Sequence, residues 1–211
     1  MAAQPGRPSP LADAFRRLMD IASAALALLL LALPMLLIAW RIRRDSPGPA
    51  IFRQTRAGRD LQPFTLLKFR TMRTDADPYG SSPHTADDPR LTPFGRKLRE
   101  WSFDELPQLW NVLRGDMTLV GPRPLYVEQA REWTDRQRLR LLVKPGLTGL
   151  AQISGRGAIT IEQKLELDAY YVEHRSLLGD LGIMIRTVFG MHGRGGIYEQ
   201  KYSEKEEFRS K

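Results

Sequence analysis

Two adjacent acids, Asp104 and Glu105, stand out in the stretch REWSFDELPQLWNVLRGDMTLVGPRP, residues 99–124. Carboxylates can cap a helix, bind a metal ion, move a proton or attack an electrophile. Ser102 and Glu105 form the S-x-x-E pattern of a capping box, and Asp104 would then be a first-turn acid favoured by the helix dipole. Pro107 is compatible with this helix only because it falls near the first turn. The local pattern alone therefore favours a structural role for both acids.

Residues downstream of the pair change that balance. Arg123 lies between two prolines in GPRP, where a rigid backbone holds its guanidinium in one direction, an arrangement suited to a bidentate grip on phosphate. Further on, KPGLTGLAQISGRG combines four glycines with Lys144 and Arg156, so backbone N–H groups and cations could converge on an anion. This segment matches neither a Walker A loop nor a dinucleotide fingerprint. The two segments predict an anion site without identifying the anion.

The composition of the whole chain agrees with an anionic partner. Among 211 residues, 32 Lys and Arg outnumber 24 Asp and Glu, which gives a formal charge of +8. Such a charge favours nucleic acid, acidic lipid headgroups or phosphorylated metabolites as partners. The chain has no cysteine, which excludes disulfides and thiol nucleophiles, and its three histidines lack the spacing of zinc ligands. The length is sufficient for one well-buried domain.

A long apolar segment near the N-terminus predicts association with a membrane. Residues 21–39 carry no charge and, as a helix, would be about as long as the hydrocarbon core of a bilayer. Arginines flank both ends, so the positive-inside rule draws both ends towards the cytoplasm. Pro34 should kink or break the helix. Two arrangements stay open: a re-entrant helix that returns to the same face, or a kinked span. Both place the chain from about residue 41 in the cytoplasm.

Between this segment and the acid pair, the sequence predicts a small β-hairpin. AIFRQTRAG and PFTLLKFRTM have the pattern of two strands around a turn that contains Gly58. Residues 74–93 form a polar, proline-rich stretch that would be a surface connection or a lid. Towards the C-terminus, residues 159–191 predict a pair of helices with a break at Gly179. Residues 1–13 are expected to be a disordered leader, and residues 191–211 a mobile tail.

Four motifs together resemble a known family. KFRTM, SFDELPQLWNVLRGDMTLVGPRPL, KPGLTGLAQISGR and ELDAYYV occur in the order and approximate spacing seen in the monotopic bacterial sugar transferases. These are polyprenol-phosphate phosphoglycosyl transferases, of which the PglC-like enzymes are the small form. The resemblance covers roughly residues 14–190 and implies a mostly helical α+β fold. It further implies a re-entrant helix–break–helix membrane segment at 14–40, and a compact cytoplasmic catalytic domain with a β-hairpin at 41–190.

The resemblance also implies a reaction. Family members transfer a sugar 1-phosphate from a UDP-sugar to a polyprenol phosphate, such as undecaprenyl phosphate, and release UMP. They act at the cytoplasmic face of the bacterial inner membrane, in the first membrane step of O-antigen, capsule, exopolysaccharide or glycoprotein glycan synthesis. Asp104 would be the nucleophile that forms a covalent phosphosugar intermediate, and Glu105 would bind Mg²⁺ or accept a proton. The cations expected at the phosphates are Lys68, Arg70, Arg99 and Arg123, which match family positions, and Arg156 of the glycine-rich segment.

Other features stay open at the level of the sequence. Family members often carry Ser before the kink proline, whereas this chain has Leu33 before Pro34, so the resemblance does not define the kink geometry. The partners expected are a UDP-sugar, a polyprenol phosphate and membrane lipid, with no nucleic acid, and the chain could form a homodimer. The alternative is a membrane-tethered basic module that binds anionic lipid or nucleic acid without chemistry. That alternative gives Asp104 and Glu105 no role beyond capping.

Overall fold

A single long helix, α1 (Pro10–Asp45), begins the part of the chain that this computed structural model describes, residues 10–80 and 82–190. Proline is well suited to the first turn of a helix, where its missing N–H has no partner to lose. Residues 10–13, predicted to belong to a disordered leader, are therefore helical. The rest of that leader, residues 1–9, and the predicted tail, residues 191–211, lie outside the described residues.

The helix α1 continues through Pro34 without interruption, so the predicted break of the helix at this residue is wrong. Proline removes one intrahelical hydrogen bond and can bend a helix without ending it. The surrounding residues are mainly Leu and Ala, which strongly favour helix and keep it continuous. With 36 residues, α1 is about 54 Å long. It is long and apolar enough to cross a membrane, and its route there stays a prediction.

Both ends of α1 contact the rest of the described chain. Near its N-terminus, the Arg17 guanidinium donates to the backbone carbonyls of Val112 (2.6 Å) and Leu113 (2.7 Å). Near its C-terminus, the Asp45 carboxylate accepts a hydrogen bond from the backbone N–H of Phe94 at 3.1 Å. Between these points, one face packs against two apolar core clusters. The opposite face exposes Leu26, Leu29, Leu30, Leu33, Leu36, Leu37 and Trp40.

The predicted hairpin is confirmed. Strand β1 (Ile51–Ala57) pairs with β2 (Pro63–Phe69) in antiparallel register, with Phe52 opposite Lys68. Side chains of directly opposite residues lie on the same face of such a pair. The register of the hairpin therefore defines the position of Lys68 on one of its faces.

A second small sheet was not predicted. Strands β3 (Thr118–Val120) and β4 (Gly146–Thr148) pair in parallel. The N–H of Gly146 donates to the carbonyl of Pro122 at 2.9 Å, and a Cβ at Gly146 would lie only 2.1 Å from the backbone nitrogen of Gly121. Gly146 is thus required for close backbone packing, and its N–H is already used. The predicted anion cradle does not include it.

The remaining elements are short helices joined by turns, so the described chain is mostly helical, as predicted. They are α2 (Pro93–Glu100), α3 (Gln108–Arg114), α4 (Asp135–Arg138), α5 (Leu150–Ser154), α6 (Ile161–His174) and α7 (Leu177–Gly190). The break between α6 and α7 falls before Leu177 and not at the predicted Gly179, which lies inside α7. The Ser176 hydroxyl accepts a hydrogen bond from the Gly179 N–H at 3.0 Å, which explains why α7 begins there.

Candidate active site

The acid pair lies in a 3₁₀ turn (Phe103–Glu105) and not at the start of an α-helix. Ser102 has a left-handed backbone (φ 55°) and its side chain makes no capping hydrogen bond, so the predicted capping box is wrong. A capping residue needs an extended backbone to direct its oxygen at the next turn. The α-helix begins only after Pro107. Glu105 is consequently available for contacts with other parts of the chain.

Glu105 receives two cations on one oxygen. Its Oε1 lies 2.9 Å from the Lys68 ammonium, which β2 supplies, and 2.8 Å from Nη2 of Arg123, which follows β3. Burial opposes ionisation of Glu105, but Arg123 and Lys68 together hold the pKa of this carboxyl well below its ordinary value. The carboxylate is therefore charged at neutral pH and joins three segments that are distant in sequence.

Asp104 is more buried and less constrained than its neighbour. It is only 7 % exposed, and the Lys68 ammonium beside it is hydrogen-bonded to Glu105 at 2.9 Å. Burial raises the pKa of Asp104; the charge of Lys68 opposes this rise and the charge of Glu105 adds to it. The predicted stabilisation of Asp104 by a helix dipole is replaced by the charges of nearby cations. A desolvated carboxylate beside cations is well suited to nucleophilic attack.

Arg99 borders the pair from helix α2. Its Nε donates to the Thr71 hydroxyl at 2.9 Å and its Nη2 lies 3.6 Å from the Met72 sulfur. Its charge is also among those that lower the pKa of Asp104. Four of the predicted cation and acid positions are thus in mutual contact or adjacent in the chain, and Arg99 lies within electrostatic range of them. The four are Lys68, Asp104, Glu105 and Arg123.

Arg70 does not join this group. Its guanidinium donates to the carbonyls of Pro47 (2.7 Å) and Ser46 (2.8 Å), and only 5 % of the residue is exposed. Strand β2 ends one residue earlier, and the arginine is used to fix the turn that follows α1. The prediction that Arg70 binds phosphate is therefore corrected to a structural role. The side chain of Arg156 lies outside the described part of the structure, so its predicted role stays a prediction.

A buried ion pair behind Arg123 was missed by sequence reasoning. The Arg140 guanidinium donates to the backbone carbonyl of Arg123 and pairs with the Asp168 carboxylate at 2.9 Å. Both side chains of this pair are 3 % exposed. Asp168 lies within the ELDAYYV motif, but nothing in the sequence indicates that its partner is Arg140. The pair holds the Pro122–Pro124 segment from which the Arg123 side chain reaches Glu105.

The acid pair has the donor atoms that Mg²⁺ prefers. Lys68 and Arg123 both bond Oε1 of Glu105, which leaves Oε2 and the carboxylate of Asp104 as oxygen ligands. No group of three or more His, Asp or Glu side chains suited to a metal occurs among residues 10–80 and 82–190. Mg²⁺ is commonly held by one or two carboxylates together with substrate phosphates. The residues therefore fit a metal that is shared with a bound phosphate.

Most of the chain matches one family model. Residues 11–194 match the model described as bacterial sugar transferase. The chain is 42% identical to the uncharacterized sugar transferase EpsL of Bacillus subtilis over 193 residues, which is 92% of this chain and 95% of that protein. It is 45% identical over 199 residues to the UDP-glucose:undecaprenyl-phosphate glucose-1-phosphate transferase of Caulobacter vibrioides, which is 88% of this chain and 73% of the relative. An Escherichia coli protein of the same name is 43% identical over 82% of this chain, but this chain spans only 39% of it.

Proposed function

Because the chain belongs to the bacterial sugar transferase family, we propose that it transfers a sugar 1-phosphate from a UDP-sugar to undecaprenyl phosphate and releases UMP. The observation that carries this proposal is the buried Asp104 carboxylate, held beside the cations of Lys68 and Arg123. The names of the Caulobacter and E. coli relatives specify this type of transfer with UDP-glucose. A Salmonella relative is named for galactose, so the donor sugar is left open.

The first step is an in-line displacement at the sugar-linked phosphorus. An oxygen of the Asp104 carboxylate forms a bond to this phosphorus, and the bond from phosphorus to the oxygen that bridges the two phosphates breaks. UMP leaves with that oxygen and its electron pair, and the enzyme retains a phosphosugar on Asp104. Since the carboxylate and the diphosphate are both anions, this step requires nearby cations to stabilise the transition state.

The second step returns the carboxylate. An oxygen of undecaprenyl phosphate attacks the same phosphorus, the bond from phosphorus to Asp104 breaks, and the undecaprenyl diphosphate sugar leaves. No net proton transfer is needed when the acceptor phosphate reacts as its anion. A covalent intermediate lets a soluble donor and a lipid acceptor use one small site in turn.

The remaining residues of the site neutralise and orient the phosphates. Lys68 and Arg123 are bonded to Glu105 and can exchange this partner for phosphate oxygens, since charge-assisted bonds of both kinds have similar geometry. Arg99 adds a third positive charge near Asp104. Mg²⁺, which Glu105 and the substrate phosphates would hold, would supply further neutralisation of the phosphate charge.

The membrane topology belongs to the same proposal. We infer that both ends of α1 lie at the cytoplasmic face of the inner membrane, with the apolar face inserted. Support comes from the contacts of Arg17 and Asp45 at opposite ends of α1 with one and the same body of the chain. A helix that crossed the bilayer would carry those two residues to opposite sides, where one water-soluble domain could not contact both.

The activity is tested with the full-length protein in lipid nanodiscs. UMP release is measured from a panel of UDP-sugars with undecaprenyl phosphate, for the parent, for Asp104→Asn and for Asp75→Asn. Asp75 is an exposed acid paired only with Arg73 in the described chain, so this control should retain full turnover. We expect turnover by the parent and none by Asp104→Asn. Unchanged turnover in Asp104→Asn would refute the role of this residue as nucleophile.

The covalent step is tested without the acceptor. A UDP-sugar labelled in its sugar should leave about one equivalent of label on the parent protein, together with a burst of UMP. The Asp104→Asn variant should retain no label. Label that reaches undecaprenyl phosphate without ever appearing on the protein would instead indicate direct transfer between the two substrates.

The topology is tested in spheroplasts, in which the outer membrane is opened so that an added protease reaches the periplasmic face of the inner membrane. A protease-cleavable tag placed before Met1 should be protected from an extracellular protease, as should a tag after Lys211. Cleavage of the N-terminal tag alone would show that α1 crosses the membrane. The positive control is the same tag on a protein with a known periplasmic terminus.

A further inference from the structure

A cluster of aromatic and polar groups lies where β1 meets the segments that carry Tyr79 and Tyr126, and it has no part in the steps described above. The Arg56 guanidinium carbon lies 3.7 Å from the centre of the Tyr126 ring. The Tyr79 ring is centred 5.8 Å from that of Tyr126, at an interplanar angle of 49°. Gln54 donates from Nε2 to the Tyr126 hydroxyl at 3.1 Å and accepts at Oε1 from Arg56 Nε at 3.0 Å. These four residues are called here the aromatic platform.

The platform combines side chains fixed by contacts with one another and one accessible ring. Gln54 is buried, and its Nε2 also donates to the carbonyl of Pro78, which holds the loop that carries Tyr79 against β1. The Tyr126 ring is covered on one side by Arg56. Tyr79, in contrast, is 57 % exposed. A ligand that stacks on this ring would therefore meet a surface that is already ordered, which reduces the entropy lost on binding.

The platform lies at the far end of the hairpin face that carries Lys68. Because side chains alternate along a strand, Phe52, Gln54 and Arg56 share one face, and Lys68 lies on it directly opposite Phe52. Arg56 is therefore about 13 Å along the strand from Lys68. The Ala57 N–H donates to the Leu125 carbonyl at 2.9 Å, which ties this end of β1 to the segment of Arg123.

Arg123 is near enough to both sites for its charge to act on each. Its charge lowers the pKa of Asp104 on one side and that of Arg56 on the other. Burial is the main reason that the pKa of Arg56 falls to about 10, and the second guanidinium adds to the effect. Two like charges held near each other are stabilised when an anion binds between them. Arg56 and Arg123, whose segments are joined by the hydrogen bond from Ala57 to Leu125, thus favour a phosphate near both guanidinium groups.

The direction of the reaction decides which part of the donor occupies this position. In an in-line displacement, the leaving group lies opposite the nucleophile across the attacked phosphorus. Resting on the function proposed above, we propose that the aromatic platform binds the UMP half of the donor. The base stacks on Tyr79, and the phosphate that leaves with the nucleoside lies between Arg56 and Arg123. The sugar stays on the attacked phosphorus, so it need not lie on the platform with the leaving group.

The experiment measures UMP binding separately from turnover. Binding of UMP is measured by calorimetry to the full-length Asp104→Asn protein in nanodiscs, alone and combined with Tyr79→Leu or Tyr79→Phe. Tyr170→Leu, which removes an exposed tyrosine of α6, is the matched control. Stacking of a base on an aromatic ring contributes about 1–3 kcal/mol, so Tyr79→Leu should weaken UMP binding about 5- to 150-fold. Tyr79→Phe and the control should bind UMP as the parent does.

The second readout is turnover. It is measured for the Tyr79 variants in the protein that retains Asp104. Tyr79→Leu should raise KM for the UDP-sugar and the inhibition constant for UMP by the same factor, with KM for undecaprenyl phosphate unchanged. Unchanged UMP affinity in Tyr79→Leu would overturn the proposal. A changed preference among UDP-sugars at constant UMP affinity would also overturn it, because the Tyr79 ring would then contact the sugar. If the parent turns over no UDP-sugar, the proposed function fails, whereas loss of UMP affinity in Tyr79→Leu would still support the nucleotide site.

Discussion

Two clusters in this protein join an arginine to an acid, and they differ mainly in solvent access. In one, Lys68 and Arg123 meet Glu105 beside Asp104, with Glu105 18 % exposed and Arg123 45 % exposed at the side chain. In the other, Arg140 and Asp168 are almost completely enclosed. The first cluster is open enough for its cations to exchange partners with a ligand. The second is closed and can only hold its surroundings in place.

Burial raises the pKa of an aspartate in both clusters. The pKa of Asp104 is raised from its ordinary value, and that of Asp168 rises to about 6 although Arg140 is 2.9 Å away. A buried pair of this kind contributes little net stability, because desolvation offsets the attraction. Removal of one partner is nevertheless costly, since the other charge is left without compensation. An aspartate beside a cation can therefore take part in a reaction where the cluster is open to solvent. In a closed cluster it can only hold neighbouring segments in place.

The largest expected effects come from removing the aspartate of each cluster. Asp104→Asn should lower turnover by at least about a thousandfold without loss of stability, since it removes a carboxylate whose ionisation burial disfavours. Asp168→Ala should lower the free energy of unfolding by about 3–5 kcal/mol, because Arg140 loses its partner. UMP release and thermal unfolding in nanodiscs measure the two effects. Equal losses of stability in both variants would contradict the distinction.

Substitutions of Arg123 test whether the open cluster acts on the substrate. Arg123→Ala should lower kcat/KM for the UDP-sugar by about 100- to 1,000-fold, the range for loss of one group that stabilises transition-state charge. Its melting temperature should change little, because the side chain is partly exposed. Arg123→Lys should recover only part of the activity, since an ammonium lacks the planar fork of a guanidinium. Full activity in Arg123→Ala would remove this residue from the site.

The pH dependence of turnover should report the charge around Asp104. The reaction needs the ionised carboxylate, so activity is present above the pKa of Asp104 and is lost as the pH falls through it. Lys68 lowers this pKa, and Lys68→Met should therefore move the acid limb of kcat/KM to higher pH. Lys68→Arg should leave the limb in place, as should Lys97→Met at an exposed position of α2. A shift to lower pH in Lys68→Met would contradict the assignment.

Salt should produce the smallest effect and should act on only one cluster. Ions screen charges that are in contact with solvent, whereas an enclosed pair is screened much less. Raising the concentration of KCl from 0.05 to about 0.5 M should increase KM for the UDP-sugar a few fold. The melting-temperature difference between the parent and Asp168→Ala should stay constant over the same range. A difference that shrinks with salt would show that Arg140 and Asp168 are accessible to solvent.

Local sequence patterns and tertiary contacts can be separated at three positions of the chain. The two strand-like segments around Gly58 predicted the hairpin, because strand and turn signals are local, and the observed register then places Lys68 opposite Phe52. The S-x-x-E pattern predicted a helix cap that does not form, since Ser102 has a left-handed backbone and Pro107 delays the helix. Arg70 has the same charge as Lys68 two residues earlier, but the turn after α1 binds its guanidinium.

The sequence by itself determined the apolar helix, the hairpin and the set of residues from which a phosphate-transfer site can be built. These depend on composition, on periodicity and on motifs that are contiguous in the chain. Only the tertiary structure decided that Lys68 and Arg123 share one oxygen of Glu105, that Arg140 pairs with Asp168, and that both ends of α1 contact one domain. The physical reason is that charge pairing in a folded chain depends on burial and on distances between remote segments, which local sequence patterns do not encode.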